Sequence, residues 1–386
     1  MNGATGIFLT GATGFLGCYL LKEFMEHTEA PVYCLVRSRP DVAARQRVMD
    51  NARFIFGEDT VAAWPAQRLF VVEGDVGHDC FGLPPHEYAA LCWKIGEIFH
   101  AAAILWHFGK KEEFENVNVV ALKRLLCFAE TGRRKALNHI STLAVSGRRC
   151  DNPDNLFTEH DFHTCIEYPN DYVESKHKAE LLLKQPLDEG KNIRIFRPGF
   201  IMGDSSNGKF KQNITADAQY LHLRGHILMR AAPPLHPDDY MDITPVDYAA
   251  SAIVNLAMRP DTGGHIYHIC NPKPVLKGEV WNFIREYGYP IRVIPPESYL
   301  MDVLDSEDPL FLEGLQSVMV YLADYEKSPA VFDATRTLDR LEGTGIRCPE
   351  PDAALLKRYL DYCVDVEFIP TPEAMRGHGT KYGQES

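Results

Sequence analysis

Apolar residues in the first half of the chain recur with two alternating periods. Short runs at Ile7-Phe8-Leu9, Val32 to Val36, Leu69 to Val76, Glu97 to Ala103, Ala136 to Thr142 and Ile193 to Gly199 read as strands that run into loops. Stretches with helical spacing lie between them: Cys18 to Met25, a segment carrying Arg45, Arg47 and Arg53, residues 114 to 131, and a long segment opening near Tyr168–Tyr172 and running through Leu183. Strand and helix in alternation predict an α/β fold with a doubly wound parallel sheet. Beyond residue 203 the pattern loosens. Gly203 to Lys211 is polar and glycine-bearing, and reads as a mobile loop at the mouth of a site. Pro233, Pro234 and Pro237 mark irregular chain, and residues 278 to 364 read as several short helices. A helix from Tyr248 to Met258 and a strand near His265–Ile269 return to the earlier pattern. The expected division is a sheet domain over residues 1–203, with 241–270 contributing to it. A smaller, mainly helical subdomain takes 204–240 and 271–372, and 373–386 form a disordered polar tail.

Totals narrow the classes. At 386 residues the chain accommodates one large α/β domain and a smaller one. A net charge of −13 without a long basic tract excludes general nucleic-acid binding. Ten cysteines with no C-x-x-C pair read as reduced thiols of a cytoplasmic protein. No basic-then-apolar leader precedes the first strand, and no apolar run reaches a membrane span, since Ile98 to Phe108 is broken by His100 and His107. The near pairs His160/His163, His222/His226 and His265/His268 lack a further ligand at a metal-binding spacing, so no metal site is expected.

Chemistry first enters at Thr10-Gly11-Ala12-Thr13-Gly14-Phe15-Leu16-Gly17, between the first strand and the first helix. Strand, glycine turn and helix in that order make a phosphate-binding corner for a dinucleotide. Gly11 permits the tight turn, Gly14 lets the backbone approach a pyrophosphate, and Gly17 lets the helix pack on the strand. Thr13, Phe15 and Leu16 belong to the same turn, and the helix N-terminus favours the anion. A merely flexible loop is the plainer reading, and the flanking strand and helix count against it. Where an NAD-selective fold carries an acid after its second strand, this chain has Arg37, with Arg47 in the next helix. A guanidinium fork suits a phosphate, which favours NADPH over two merely solvated arginines.

Tyr172 and Lys176 stand one helical turn apart and share a face. An ammonium beside a phenol is expected to lower the tyrosine pKa toward working pH, and it also suits a ribose hydroxyl. Thr142, at a strand end, is positioned to hydrogen-bond a substrate carbonyl. With 17 tyrosines, one Y-x-x-x-K match arises by chance. The order of glycine corner, Ser141-Thr142, then Tyr172 and Lys176 raises it above that.

With these residues the chain resembles the extended short-chain dehydrogenase/reductase family over nearly its whole length. It is more closely similar to thioester reductase domains of nonribosomal peptide synthetases and carboxylic acid reductases. The likeness rests on Leu9 to Gly17, Val32-Tyr33-Cys34-Leu35-Val36-Arg37, Gly74-Asp75-Val76, His100-Ala101-Ala102, Ile140-Ser141-Thr142, Tyr172 to Lys176, Arg197-Pro198-Gly199 and Pro245-Val246-Asp247. It departs at Asn118-Val119, followed here by Ala121-Leu122 where the family has glycine and threonine, and it is loose after Gly203 and around Pro233–Pro237. The resemblance implies a catalytic triad of Thr142, Tyr172 and Lys176. It further implies that Asp75 and Val76 flank the adenine, and that Ala101, Ala102, Pro198 and Gly199 line the NADPH site. The activity it implies is reductive release of an acyl thioester from a carrier-protein phosphopantetheine arm as an aldehyde, and on to the alcohol, by a monomer. Another extended-family enzyme, such as a fatty acyl-CoA reductase or a nucleotide-sugar epimerase or dehydratase, is the alternative, and a non-catalytic nucleotide sensor or scaffold is the second. An acidic carrier needs a local basic patch, for which Arg133-Arg134-Lys135 and Arg148-Arg149 are the candidates.

Overall fold

The apolar runs pair side by side. β1 (Gly6–Thr10), β2 (Val32–Val36), β3 (Leu69–Glu73), β4 (Ile95–His100), β5 (Ala136–Ile140), β6 (Ile193–Pro198) and β7 (His265–Ile269) form one seven-stranded sheet. Its order is β7-β6-β5-β4-β1-β2-β3, and every pairing in it is parallel. Parallel pairing requires crossovers and leaves both faces to be covered. The order reverses between β1 and β4, and ligands of such sheets bind outside the carboxyl ends of the strands at that point. The computed structural model describes residues 5–103, 114–149, 156–162, 166–168, 170–232, 234, 239–295, 309–319 and 331–377.

Helices that cover this sheet include α1 (Phe15–His27), α2 (Ala44–Phe56), α3 (Pro85–Lys94), α4 (Ala121–Glu130), α5 (Asp171–Asp188) and α6 (Val246–Ala257). Alternation along β1 sends Ile7 and Leu9 into one core with residues of α1, α2 and α6. Phe8 goes into the other core, with residues of α3, α4 and α5. Each fully buried Ile, Leu or Phe contributes about 1.5–3 kcal/mol, so the two-sided pattern is strongly specified. Residues 114–131 are not one plain helix: a π turn over Glu115–Val120 precedes α4. α5 starts at Asp171, because the Asn170 side chain accepts a 3.0 Å hydrogen bond from the Val173 N–H.

The chain divides into two compact units. The first is Met1–Met202, Thr244–Pro272 and Ala330–Cys348, and the second is Gly203–Ile243, Lys273–Pro329 and Pro349–Ser386. Residues 330–348, expected in the helical subdomain, therefore belong with the sheet. The reason is a buried carboxylate: Glu159 Oε1 accepts from His268 N at 2.8 Å and Thr337 Oγ1 at 2.6 Å, and Oε2 accepts from Arg336 N at 2.7 Å. Within the second unit, helices run over Ala218–Met229, Lys277–Tyr287, Pro309–Met319 and Ala353–Asp365.

Two expectations need correcting there. Gly203 to Lys211 is a stapled turn, with Asp204 N on Lys209 O at 2.9 Å and Gly203 N on the Tyr220 hydroxyl at 3.1 Å. Gly208 approaches so close to the chain at Arg358 that a Cβ would lie 2.1 Å from its carbonyl oxygen. The expected tail begins as a short helix, Pro372–Gly377. Residues 378–386 lie outside the described residues, as do His107, Cys150, His163, Cys165, Pro233 and Pro237.

Candidate active site

The glycine corner lies at the sheet's reversal point, and its contacts explain each glycine. Gly11 has φ +83°, and a Cβ there would meet the Ala101 carbonyl carbon and the Ala102 nitrogen at 2.6 Å. A Cβ on Gly17 would fall 2.0 Å from Gly11 O. Gly14 caps α1 without a side chain to hydrogen-bond the first-turn N–H groups, which leaves that cap to a ligand. These features fit a dinucleotide pyrophosphate. Thr13 O is 3.5 Å from Asn51 Nδ2 on α2. Phe15 and Leu16 pack partly buried against the α1 core. The Thr10 hydroxyl accepts from Ala102 N at 3.3 Å and exchanges a 2.8 Å hydrogen bond with His100 Nδ1, tying the ends of β1 and β4.

After β2 three arginines gather. Arg47 Nη1 donates to Arg37 O at 2.7 Å. Burial, then the positive charges of Arg39 and Arg37, push the Arg47 guanidinium below its usual value, against Asp41. Crowded guanidiniums of this kind suit an added anion. Arg39 was not singled out from the sequence; its closeness to Arg37 was the available signal. Besides Asp41, the Glu73 carboxylate at the end of β3 accepts from Ser38 Oγ at 2.8 Å.

The remaining expected cofactor residues are distributed as follows. Asp75 Oδ1 accepts from Gly77 N at 2.8 Å, so part of its carboxylate is held within its own turn. The Val76 side chain is in the core with Phe8, Leu35 and Phe81, only 7% exposed. Ala101 and Ala102 lie against the glycine turn. Pro198 ends β6 opposite Ile269, and Gly199 N donates to Ile269 O at 2.9 Å.

Thr142, Tyr172 and Lys176 come together at the carboxyl end of β5. Thr142 and Tyr172 share a side-chain hydrogen bond. Tyr172 keeps part of its surface exposed, yet burial around the phenol pushes its pKa up to about 12, with the Thr142 hydrogen bond opposing. This reverses the expected lowering by Lys176, and the phenol is a proton donor at neutral pH. The Lys176 ammonium instead donates to Ile140 O at 2.8 Å. Burial lowers it to about 8, with Glu180 opposing. His100 and His139 lie side by side beneath, their rings 5.5 Å apart. Burial, then the Lys176 charge, lowers His100 to about 3, and His139 also lies well below its usual value for the same reasons, so both imidazoles are neutral. Asn118 is a further contributor: its Nδ2 donates to Ser175 Oγ at 2.9 Å, and Ser175 Oγ donates to Tyr172 O at 2.8 Å. The π turn that carries Asn118 has no sequence signature, and such turns recur at functional sites.

Of the basic segments, Lys135 differs from expectation. Lys135 is buried and donates to the carbonyls of Phe128, Thr131 and Arg133, each at 2.7 Å. It closes the end of α4 and is not a docking charge. Arg133 and Arg134 are exposed and lie at the entry of β5, the end opposite Thr142. Arg148–Arg149 form a short strand antiparallel to Ile166–Glu167. Among the described residues no three His, Cys, Asp or Glu side chains gather as metal ligands, and no helix is long and apolar enough to cross a membrane.

Comparison with known proteins agrees with this layout. The terminal R domain of the myxalamid PKS-NRPS biosynthetic pathway superposes with TM-score 0.83 at 33% identity, covering 96% of this chain and 94% of that one. The nonribosomal peptide synthetase asaC of Aspergillus flavus is 30% identical over 365 residues, 88% of this chain and 34% of the synthetase. The isonitrile lipopeptide synthase of Streptomyces coeruleorubidus is 29% identical over 390 residues, 96% of this chain and 25% of the synthase. The chain thus spans about a third or less of these curated relatives. The male sterility protein family matches residues 9–253, which carry the glycine corner, Thr142, Tyr172 and Lys176. The chain belongs to that family of NAD-binding domains, and is an oxidoreductase built on the extended short-chain dehydrogenase/reductase fold.

Proposed function

We propose that this domain reduces an acyl thioester, presented on the phosphopantetheine arm of a carrier protein, to an aldehyde with NADPH, and can carry the aldehyde on to the alcohol. The observation that carries the reading is the hydrogen-bonded Thr142–Tyr172 pair with Lys176 one turn on. The likeness to synthetase reductase domains supports a thioester as the substrate. The arginine corner supports a 2′-phosphate on the cofactor, held by Arg37 and Arg47 with Arg39 beside them.

When bound, NADPH supplies the hydride. The Thr142 and Tyr172 hydroxyls turn from each other to the substrate's carbonyl oxygen and stabilise its developing charge. One such donor contributes roughly 10²–10³ in rate. Tyr172 then gives that oxygen its proton, which a phenol with a pKa of about 12 still holds at pH 7. Lys176, protonated below about pH 8, stands ready to restore it. The hemithioacetal breaks its C–S bond, freeing the aldehyde and the pantetheine thiol. Arg148 and Arg149, just beyond Thr142, meet the acidic carrier.

The test offers acyl-pantetheine, carrier-loaded thioester, acyl-CoA and nucleotide-sugar substrates while NADPH absorbance is followed and products are identified by mass spectrometry. Aldehyde or alcohol from the carrier-loaded thioester is expected. Turnover of nucleotide sugars with none of any thioester overturns the reading.

A further inference from the structure

One face of α5 grips the end of β5 at three consecutive residues. Tyr172, Lys176 and Glu180 recur every four positions, so their side chains line one stripe. Tyr172 meets the Thr142 side chain, Lys176 donates to the Ile140 carbonyl, and Glu180 accepts from the Ser141 hydroxyl through Oε1. Glu180 is wholly buried. Its carboxylate is held from behind by Arg197 on β6, with Nη2 2.6 Å from Oε2 and Nε 3.0 Å from Oε1. Arg197 is fixed in turn: Nη2 donates to Asp161 O at 2.7 Å, and the guanidinium lies 4.5 Å from the Phe157 ring centre. A buried pair of this kind is costly to desolvate and weak evidence for stability alone. Its location one residue from Thr142 and one turn from Lys176 gives it another use.

We propose that Glu180, backed by Arg197, is a positioning residue of this site: it anchors Ser141, and with it the chain carrying Thr142, and supplies the negative charge that keeps Lys176 an ammonium. The inference rests on the roles given above to Tyr172 and Lys176. Among the described residues, the charged and titratable groups around Lys176 are Tyr172 and Glu180 on its own helix, His100 on β4 and His139 on β5, with Arg197 behind Glu180 on β6. The imidazoles are neutral, so Glu180 is the group that opposes the burial of Lys176. Without it the ammonium is less favoured, and Arg197, left uncompensated, disfavours it further. Lys176 must then lose its proton at lower pH.

The experiment measures kcat against pH with saturating NADPH and a small free acyl thioester, alongside NADPH affinity and thermal melting. The parent should lose rate as pH rises through the Lys176 titration. In Glu180→Gln that alkaline limb should move down by about 1–3 pH units, the range for loss of one close opposite charge. Glu180→Asp should restore it in large part. Since Glu180→Gln alone leaves Arg197 buried and unpaired, Glu180→Gln with Arg197→Met removes both charges and should fold while keeping the shifted limb. Ser141→Ala keeps the ion pair, so its limb should stay with the parent's while kcat falls roughly two- to tenfold for one lost hydrogen bond. If Glu180→Gln and the Glu180→Gln/Arg197→Met double variant both fold and keep the parent's limb, Glu180 does not hold the Lys176 charge, and if Ser141→Ala has full turnover, it does not act through Ser141; either result overturns the proposal. A fully active Tyr172→Phe would instead sink the catalytic reading, so the two failures are distinguishable.

Discussion

The sharpest test of the dinucleotide corner is a pair of alanines. A Cβ on Gly17 would sit 2.0 Å from Gly11 O, against ordinary contact at 3.4 Å, so backbone must part by about 1.4 Å (3.4 − 2.0). Gly11 O cannot swing away, because it accepts from Gly14 N at 2.8 Å and its own turn abuts Ala101. α1 would have to lift off β1, and with it Cys18, Leu20, Leu21 and Phe24, all wholly buried. Overpacking of this severity costs about 3 kcal/mol or more, against about 1 kcal/mol gained from alanine's helix propensity. The clash wins, and Gly17→Ala should lower Tm by about 2–4 °C for a net loss near 2 kcal/mol in a chain of this length. It should also weaken NADPH binding at least roughly tenfold, because the first turn of α1 moves. Gly14→Ala is different: its Cβ would be 3.2 Å from the same oxygen, a few tenths short. That variant should melt within about 1 °C of the parent yet bind NADPH more weakly, since the new methyl stands where a pyrophosphate would approach. Differential scanning fluorimetry and a fluorescence titration of NADPH check both. A Gly17→Ala protein with parental melting and affinity would refute the close-packing argument.

Three further outcomes are expected. Tyr172→Phe should bind NADPH almost normally and lose about 10²–10⁴ in kcat, measured by NADPH oxidation; unchanged kcat would remove Tyr172 from the mechanism. Arg37→Ala should weaken NADPH binding by ~1–3 kcal/mol with NADH nearly unchanged; equal losses in parallel titrations would mean the arginine does not read the phosphate. Arg148→Glu with Arg149→Glu should slow reduction of carrier-bound thioester, with a marked salt dependence in the parent, and spare a small free thioester; equal slowing of both would make these arginines part of the site itself.

What was legible in the sequence follows from how local each constraint is. The glycine corner was readable because turn, close approach and helix start fall within seven residues. Tyr172 and Lys176 were readable because four residues set one helical face. The fate of residues 330–348 was not, because it depends on Glu159 meeting Arg336 and Thr337 nearly 180 positions away. Lys135 misled for a similar reason: three charges in a row look like a basic patch, and only the geometry of the α4 terminus turns the third inward. Gly203 to Lys211 looked mobile by composition, yet its glycines serve close backbone approach, as at Gly208 against Arg358. Glu180 stood in plain register with Tyr172 and Lys176, but its significance needs Arg197 from another strand.

The expectation about Tyr172 failed in a way that bears on direction. Helical register suggests a phenolate, but in the fold burial raises the phenol with the Thr142 hydrogen bond opposing, and the Lys176 ammonium is engaged with Ile140 O. A group raised by burial keeps its proton until pH passes its folded value, so at neutral pH Tyr172 can give a proton and cannot take one. Lys176, lowered to about 8, also still holds its proton there. In the roles proposed above, both groups would hold a proton for a substrate oxygen that gains negative charge, which is what reduction of a carbonyl generates. Oxidation of an alcohol needs the opposite state, an empty phenolate, which burial of the phenol disfavours. The α5 stripe that sets Tyr172 on Thr142 also sets Lys176 on Ile140 O and Glu180 on Ser141, so one helical face holds the strand end to which the proposed proton donor belongs.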